Sequence, residues 1–301
     1  MSVPAVAIRA RLSVVERVSA YVALTKPRII ELLLITTLPT MILAERGLPG
    51  VWLMVATLLG GALAAGGANA INMYVDRDID KLMHRTAKRP LVTGVIAPRN
   101  ALIFAITLEI VAFVELWAWV NLLSAVLAVS ATLFYVFIYT LWLKRTSKQN
   151  IVIGGAAGAM PVLVGWAAVT NSLAWAPVVL FGVIFLWTPP HFWALAVKDK
   201  DDYEAAHVPM MPVVATFRRT ATEIIAYTVA MVALTLVLAP VAHLGAVYVV
   251  SAAVLGFGFV VMAVRLWIQA TPKASMQLFS YSITYLTLLF VMMAVDVFVH
   301  H

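Results

Sequence analysis

The chain has 301 residues, of which 63% are hydrophobic and 12% charged, with a formal net charge of +7. A soluble domain is about half apolar and about a quarter charged, so this composition excludes a water-soluble globule, a disordered chain, collagen and a coiled coil. It leaves an all-α polytopic membrane protein. The absence of cysteine excludes disulfides, thiolate metal sites, thioether haem attachment and a cysteine nucleophile.

Residues 1–26 lack the long apolar core of a signal peptide and read as a retained N-terminal tail. Residues 27–301 read as one membrane domain. A spanning helix needs about 20 apolar residues, and nine stretches qualify: 29–45, 51–73, 99–118, 121–142, 150–170, 173–196, 221–241, 244–267 and 277–299. The second carries no charge between Val51 and Tyr74, and its Gly60, Gly61, Gly66 and Gly67 suit close helix packing in lipid. Pro39, Pro161, Pro177, Pro189 and Pro190 fall within spans, where they kink helices and free carbonyls.

In a nine-span chain, 20 of the 21 Lys and Arg residues fall on one side, and only Arg46 falls on the other. The positive-inside rule then puts the N-terminus and the large loops in the cytoplasm and the C-terminus opposite. The same distribution accounts for the basic pI of about 9.7 without nucleic acid. The working face is therefore expected to be cytoplasmic.

Two loops on that face concentrate carboxylates. The first reads Asn72-Met73-Tyr74-Val75-Asp76-Arg77-Asp78-Ile79-Asp80. If span two continues as a helix, Asn72, Asp76 and Asp80 share one face. Three such oxygen donors repel unless a cation sits between them, and Mg²⁺ typically takes one or two carboxylates plus substrate phosphates. Lys81, Arg85, Lys88 and Arg89 follow, which suits a metal–diphosphate site. The plainer reading is a solvated face on which Asp76 and Asp80 pair with Arg77, Lys81 and Arg85.

The second acidic loop, Lys198-Asp199-Lys200-Asp201-Asp202-Tyr203-Glu204, occupies the equivalent place after span six. Each cluster is followed by a proline-hydrophobic element, a faint sign of an internal repeat. Two clusters suggest two metal centres gripping one polyphosphate. Span four ends Tyr139-Thr140-Leu141-Trp142-Leu143-Lys144-Arg145, where Lys144 and Tyr139 can reach a phosphate or serve as interfacial anchors. His191, in Trp187-Thr188-Pro189-Pro190-His191-Phe192-Trp193, lies within an apolar span. It reads as a proton carrier, a ligand to a haem-like metal, or a histidine satisfied by a nearby carbonyl. Glu31, Glu109, Glu115 and Asp296 are further intramembrane acids without an assigned role.

With those stretches, and with Leu24-Thr25-Lys26-Pro27-Arg28, Arg89-Pro90-Leu91 and Asn150 to Gly155, the chain resembles the haem-farnesylating branch of the UbiA-type intramembrane prenyltransferases, from about Tyr21 to about Asp296. The acidic motifs carry the superfamily. The Trp-Thr-Pro-Pro-His and Thr-Lys-Pro-Arg stretches carry the haem branch. The resemblance implies about nine transmembrane helices in a bundle around a central cavity, capped by cytoplasmic loops, in a bacterial plasma membrane. It implies farnesyl diphosphate as donor, haem b as acceptor, and Mg²⁺ held by Asn72, Asp76 and Asp80. It also implies haem O as the product, passed onward to a haem A synthase or a terminal-oxidase assembly.

The second motif departs from the superfamily's DxxxD, because Lys198 stands four residues before Asp202. Asp202 remains a metal candidate and Asp201 a substrate contact, while Lys198 is expected to supply charge in place of a second metal. The superfamily's YxxxK is stretched to five residues between Tyr139 and Lys144, so the two need not share a helical face. Arg85, Arg89, Lys81, Lys144 and Lys198 are expected on the diphosphate. Tyr74, Tyr139, Phe192 and Trp193 are candidate aromatic faces for an allylic cation, and His191 for orienting haem. Lys26, Arg28, Arg218 and Arg219 are candidates for the haem propionates. Two other readings remain: the same fold with another aromatic or tetrapyrrole acceptor, and a proton-coupled transporter that relies on Glu109, Glu115 or Asp296.

Overall fold

The computed structural model describes residues 13–300, apart from the side chains at 29, 32 and 33. Part of the expected tail is helical. Helix α1, Val14–Thr25, opens with a capping box in which Ser13 and Glu16 satisfy each other's backbone N–H groups. Residues 1–12 of that tail, with Arg9 and Arg11, lie outside the described residues.

The chain then turns at Lys26, held in the left-handed region (φ 52°), and Pro27 starts α2, Pro27–Glu45. Helices α3 (Val51–Val75), α4 (Pro98–Trp119) and α5 (Leu122–Leu133) follow. A π-helix over Phe134–Leu143 and one α-helical turn, α6 (Lys144–Thr146), continue α5. Then come α7 (Asn150–Thr170), α8 (Trp175–Lys198), two short helices α9 (Lys200–Ala205) and α10 (Met211–Val214), α11 (Phe217–Val241), α12 (Ala246–Gln269) and α13 (Pro272–His300).

All nine expected spans are helical. Among the described residues, eight helices are long and apolar enough to cross a membrane. The expected starts at 221 and 277 fall inside α11 and α13, which begin at Phe217 and Pro272. The element carrying span four is not a plain α-helix, because its second half winds as a π-helix.

The spans pack in chain order as a closed ring. Each contacts the next, from α2 and α3 round to α12 and α13, and α13 returns to α2. Contacts of α2 with α7 and of α8 with α13 cross-brace it. Glycine notches set the tightest approach. A methyl group at Gly60 would collide with Glu115 and Leu116, and one at Gly67 would meet the Ala105 carbonyl at 3.0 Å and Glu109. Small residues let helix backbones close up where lipid offers no hydrophobic drive. The outward faces are apolar, as at Val254 and Phe257. Polar groups point inward. Asp296 accepts from the Gly245 and Tyr248 N–H groups at 2.6 and 3.0 Å, capping the start of α12. That gives Asp296 a structural role.

Candidate active site

The first acidic motif keeps its register beyond the helix that carries it. Helix α3 stops at Val75, so the expected continuous helix does not form, yet the turn persists. The Asp76 N–H donates to the Asn72 carbonyl at 2.9 Å, and the Asp80 N–H to the Asp76 carbonyl at 2.8 Å. Asp80 sits in a 3₁₀ turn, Ile79–Lys81, pinned by the Thr86 hydroxyl on its carbonyl at 2.8 Å. Asn72, Asp76 and Asp80 are all buried.

Four cations from three segments converge on these groups. Lys144 pairs with Asp76 Oδ2, and Arg89 Nη1 donates to Asp80 Oδ2 at 2.6 Å. Lys26 Nζ donates to Asn72 Oδ1 at 2.8 Å. Arg145 grips both oxygens of Asp78 at 2.7 Å and reaches within 3.8 Å of Asp76 Oδ1. The Arg145 hydrogen bonds hold the Asp78 carboxyl down at about 2. Burial, followed by the neighbouring Arg89 and Lys144 charges, pushes the Lys26 ammonium down to about 7.

Asn72 is fully engaged, since its amide nitrogen donates to Asp76 at 2.8 Å and to Thr140 at 3.1 Å. Two atoms are left over. Asp76 Oδ1 and Asp80 Oδ1 are buried and accept no hydrogen bond. Buried carboxylate oxygens normally find donors. Two hard, anionic oxygens without hydrogen bonds fit a divalent cation such as Mg²⁺. Among the described residues no three His, Asp or Glu side chains group as metal ligands, so the donor set is two carboxylates with the Asn72 amide beside them.

The stretched Tyr139–Lys144 spacing is reconciled by the π-helix. There the Lys144 N–H bonds the Tyr139 carbonyl five residues back, and the Thr140 hydroxyl bonds the Tyr135 carbonyl at 2.8 Å. The widened turn brings residues five apart into line, so Tyr139 and Lys144 do share a face. Tyr139 stacks on Tyr135 with centroids 5.4 Å apart and packs against Gly154, where a Cβ would strike its ring.

The second acidic loop is placed differently from the expectation. Both oxygens of Asp202 accept backbone N–H groups of the first loop, from His84 and Arg85, at 3.0 Å each. Asp202 therefore straps the two loops together, and its oxygens are spent on that strap. Its burial acts to raise its pKa, but the Arg85 and His84 donors outweigh this and hold the carboxyl below its ordinary value. Arg85 completes the strap through the Tyr203 hydroxyl at 3.1 Å and lies 3.8 Å from Asp199.

Asp201, Lys81 and Lys198 are exposed and make no hydrogen bond or ion pair among the described residues. They are not brought into the Asp76–Asp80 cluster. Lys198 is the last residue of α8. Tyr74 carries the Arg77 guanidinium 4.5 Å from its ring centroid. Trp193 is buried against Tyr227 of α11 at 5.6 Å, so it packs two helices together and leaves no open face for a cation. Phe192 is exposed at 38%.

His191 is buried, and a hydroxyl engages it in place of the expected carbonyl. Its Nδ1 lies 2.7 Å from Ser282 Oγ, and its ring stacks with Trp187 and Phe279 at 4.2 and 4.6 Å. Of the propionate candidates, Lys26 faces Asn72, Arg219 pairs with Glu223 at 2.5 Å, and Arg218 lies over Trp267 at 4.7 Å. Lys26 as a partner of Asn72, Asp78, Arg145 and Thr140 were missed. Thr-Lys-Pro, with a lysine just before the first residue of a helix, was the one available signal.

Residues 33–292 match the UbiA prenyltransferase family. The chain belongs to that family. It is 53% identical over 294 residues to the Protoheme IX farnesyltransferase of Renibacterium salmoninarum, covering 96% of this chain and 92% of that one. It is 55% identical over 295 residues to the enzyme of the same name from a Parafrankia species, covering 97% and 94%. In fold it is similar to a solved digeranylgeranylglyceryl phosphate synthase (TM-score 0.77, 17% identity, 94% of this chain and 99% of that one). It is also similar to a UbiA homologue from Archaeoglobus fulgidus bound to GPP and Mg²⁺ (TM-score 0.61, 16% identity, 91% and 99%). The likeness to these structures is one of fold.

Proposed function

We propose that this chain transfers the farnesyl group of farnesyl diphosphate to a vinyl group of protohaem IX (haem b), with addition of water, giving haem O and diphosphate. The observation that carries this reading is the pair of buried aspartate oxygens that accept no hydrogen bond, ringed by Lys26, Arg89, Lys144 and Arg145 at the end of a lipid-embedded bundle. The full-length likeness to protohaem farnesyltransferases supports the acceptor.

Asp76 and Asp80 would hold Mg²⁺ by their free oxygens, with Asn72 as the adjoining donor. When bound, the ion neutralises charge on the diphosphate and improves it as a leaving group. Lys144 and Arg89 donate charge-assisted hydrogen bonds to the remaining phosphate oxygens, and Arg85 stands beside them on the strap. The allylic C–O bond ionises as the electron pair departs with diphosphate. The Tyr135–Tyr139 stack offers π-faces to the allylic cation. The haem vinyl carbon attacks, a C–C bond forms, and the resulting benzylic-type cation takes up water and loses a proton. His191, fixed by Ser282, Trp187 and Phe279, orients the haem. The site faces the cytoplasm, as the loop charges favour.

The test is a product assay. Membranes carrying the protein are incubated with haem b and farnesyl diphosphate, with Mg²⁺ or with chelator, and pigments are separated with mass detection. A metal-dependent pigment heavier by farnesyl plus hydroxyl is expected. No new pigment from folded protein would remove haem as the acceptor.

A further inference from the structure

Away from the acidic loops, a cleft of about 520 Å³ opens between α12 and α13, lined by Arg265, Lys273, Gln277 and Tyr281 among others. Arg265 and Lys273 are exposed and, among the described residues, neither has a hydrogen-bonding or ion-pairing partner. Neighbouring cations are used: Arg219 is paired with Glu223 and Arg218 is seated on Trp267. Gln277 adds an unmet need, because its Oε1 is buried without a hydrogen-bond partner. Rotation about its terminal χ3, a broad two-fold torsion, turns that oxygen to the cleft. Arg265 also lines a second, apolar groove of about 350 Å³ with Val260, Val264 and Ile268. The cationic cleft therefore runs into an apolar track along the outer face of α12.

We propose that this cleft binds one anionic phospholipid with a hydroxyl-bearing headgroup, such as phosphatidylglycerol. The phosphate lies between Arg265 and Lys273, a headgroup hydroxyl donates to Gln277, and an acyl chain follows Val264, Val261 and Val260 towards the bilayer core. Charge complementarity selects the anion. The apolar track selects a lipid over a free phosphate. Basic pockets between helices at a membrane face are suited to anionic headgroups.

The test uses the full chain purified in mild detergent, with bound lipid counted by native mass spectrometry. The probes are phosphatidylglycerol, phosphatidylcholine of matched chains, and inorganic phosphate. The expected result is one retained phosphatidylglycerol, preferred over phosphatidylcholine. In R265Q/K273Q that preference falls by about 30-fold, the loss of two charges at a membrane surface. Q277L lowers phosphatidylglycerol binding by about 5-fold, the worth of one hydrogen bond, and leaves phosphatidylcholine unchanged. Equal retention of both lipids, an unchanged preference in the double variant, or displacement of the lipid by inorganic phosphate would each overturn the proposal. The substituted side chains lie at the surface cleft, and unaltered thermal unfolding of both variants confirms that the fold is intact.

Discussion

Replacing Asp80 by Asn separates a metal ligand from a mere ion-pair partner. Asp80 is fully buried, and its Arg89 partner is 22% exposed at the side chain. Breaking a buried pair costs about 3–5 kcal/mol. Because Arg89 still reaches water, D80N should cost less, about 2–3 kcal/mol, seen as a fall of several degrees in thermal midpoint. R89Q strands the carboxylate with no water, so it should cost the larger amount. The double variant D80N/R89Q faces one neutral amide with another and should recover to within about 1 kcal/mol of the parent. Activity should not follow stability. R89Q loses a phosphate donor but keeps the carboxylate, whereas the double variant loses both. Farnesyl transfer in the double variant should therefore lie at least about 10-fold below R89Q, because an anionic ligand is worth more than about 1.4 kcal/mol to the transition state. Thermal unfolding in detergent and the pigment assay give both readouts on the same samples. A double variant as fast as R89Q alone would mean that Asp80 serves only to neutralise Arg89.

Four other outcomes follow from the geometry. Gly154→Ala drives a methyl group into the Tyr139 ring and should slow turnover about 10-fold at a stability cost of about 1–3 kcal/mol, checked by kinetics beside thermal unfolding. Asp202→Asn should loosen the loop strap, raising hydrogen exchange at the His84 and Arg85 amides. Because the Asp202 carboxyl is held below its ordinary value, the strap's stabilisation is complete above the usual carboxylate range and is lost as pH falls through the lowered value, and D202N should show no such acid limb. His191→Leu should raise the KM for haem about 10-fold and leave that for farnesyl diphosphate unchanged. Ser282→Ala should raise it about 3- to 5-fold, the worth of one hydrogen bond, and an unmoved haem KM in both would remove His191 from the acceptor site.

The bundle was legible because lipid imposes a simple code of apolar length and loop charge, and the nine stretches became nine helices. Asn72, Asp76 and Asp80 were legible because their four-residue spacing survives the end of α3 through two backbone hydrogen bonds. What escaped depends on backbone that hydropathy does not encode. Phe134–Leu143 is as apolar as any α-helix, and nothing in its pattern announces the π-winding that aligns Tyr139 with Lys144. Lys26 reaches Asn72 only because it adopts a left-handed turn before Pro27. The second loop misled for a related reason. Its charges suggested ligands, but the direction of Asp202 is set by backbone donors 117 and 118 residues away in sequence. Trp193 was read as a cation-facing ring, yet from its position on α8 it turns towards Tyr227.

Those departures from local preference fall in one place. A left-handed non-glycine residue is sterically costly, extended π-helix is rare, and buried carboxylate oxygens without donors carry a desolvation cost. Lys26, the Phe134–Leu143 segment, and Asp76 with Asp80 show these three features, and all of them meet at Asn72 and Asp76. Buried charge clusters of this kind are no better for stability than apolar packing, so stability does not explain them. Left-handed residues and buried oxygens without donors also occur singly elsewhere, as at Arg46 and Glu115, but the convergence of all three features on one cluster is the pattern expected of a functional site. The cations explain the rest: a diphosphate ester carries more negative charge than one magnesium ion neutralises. Lys144 and Arg89 hold the aspartates in salt bridges, and on the proposed function metal and diphosphate would exchange partners with them. Lys144 and Arg89 would then serve the phosphates while Asp76 and Asp80 would hold the metal, so that no charge would be left unpaired at the lipid boundary.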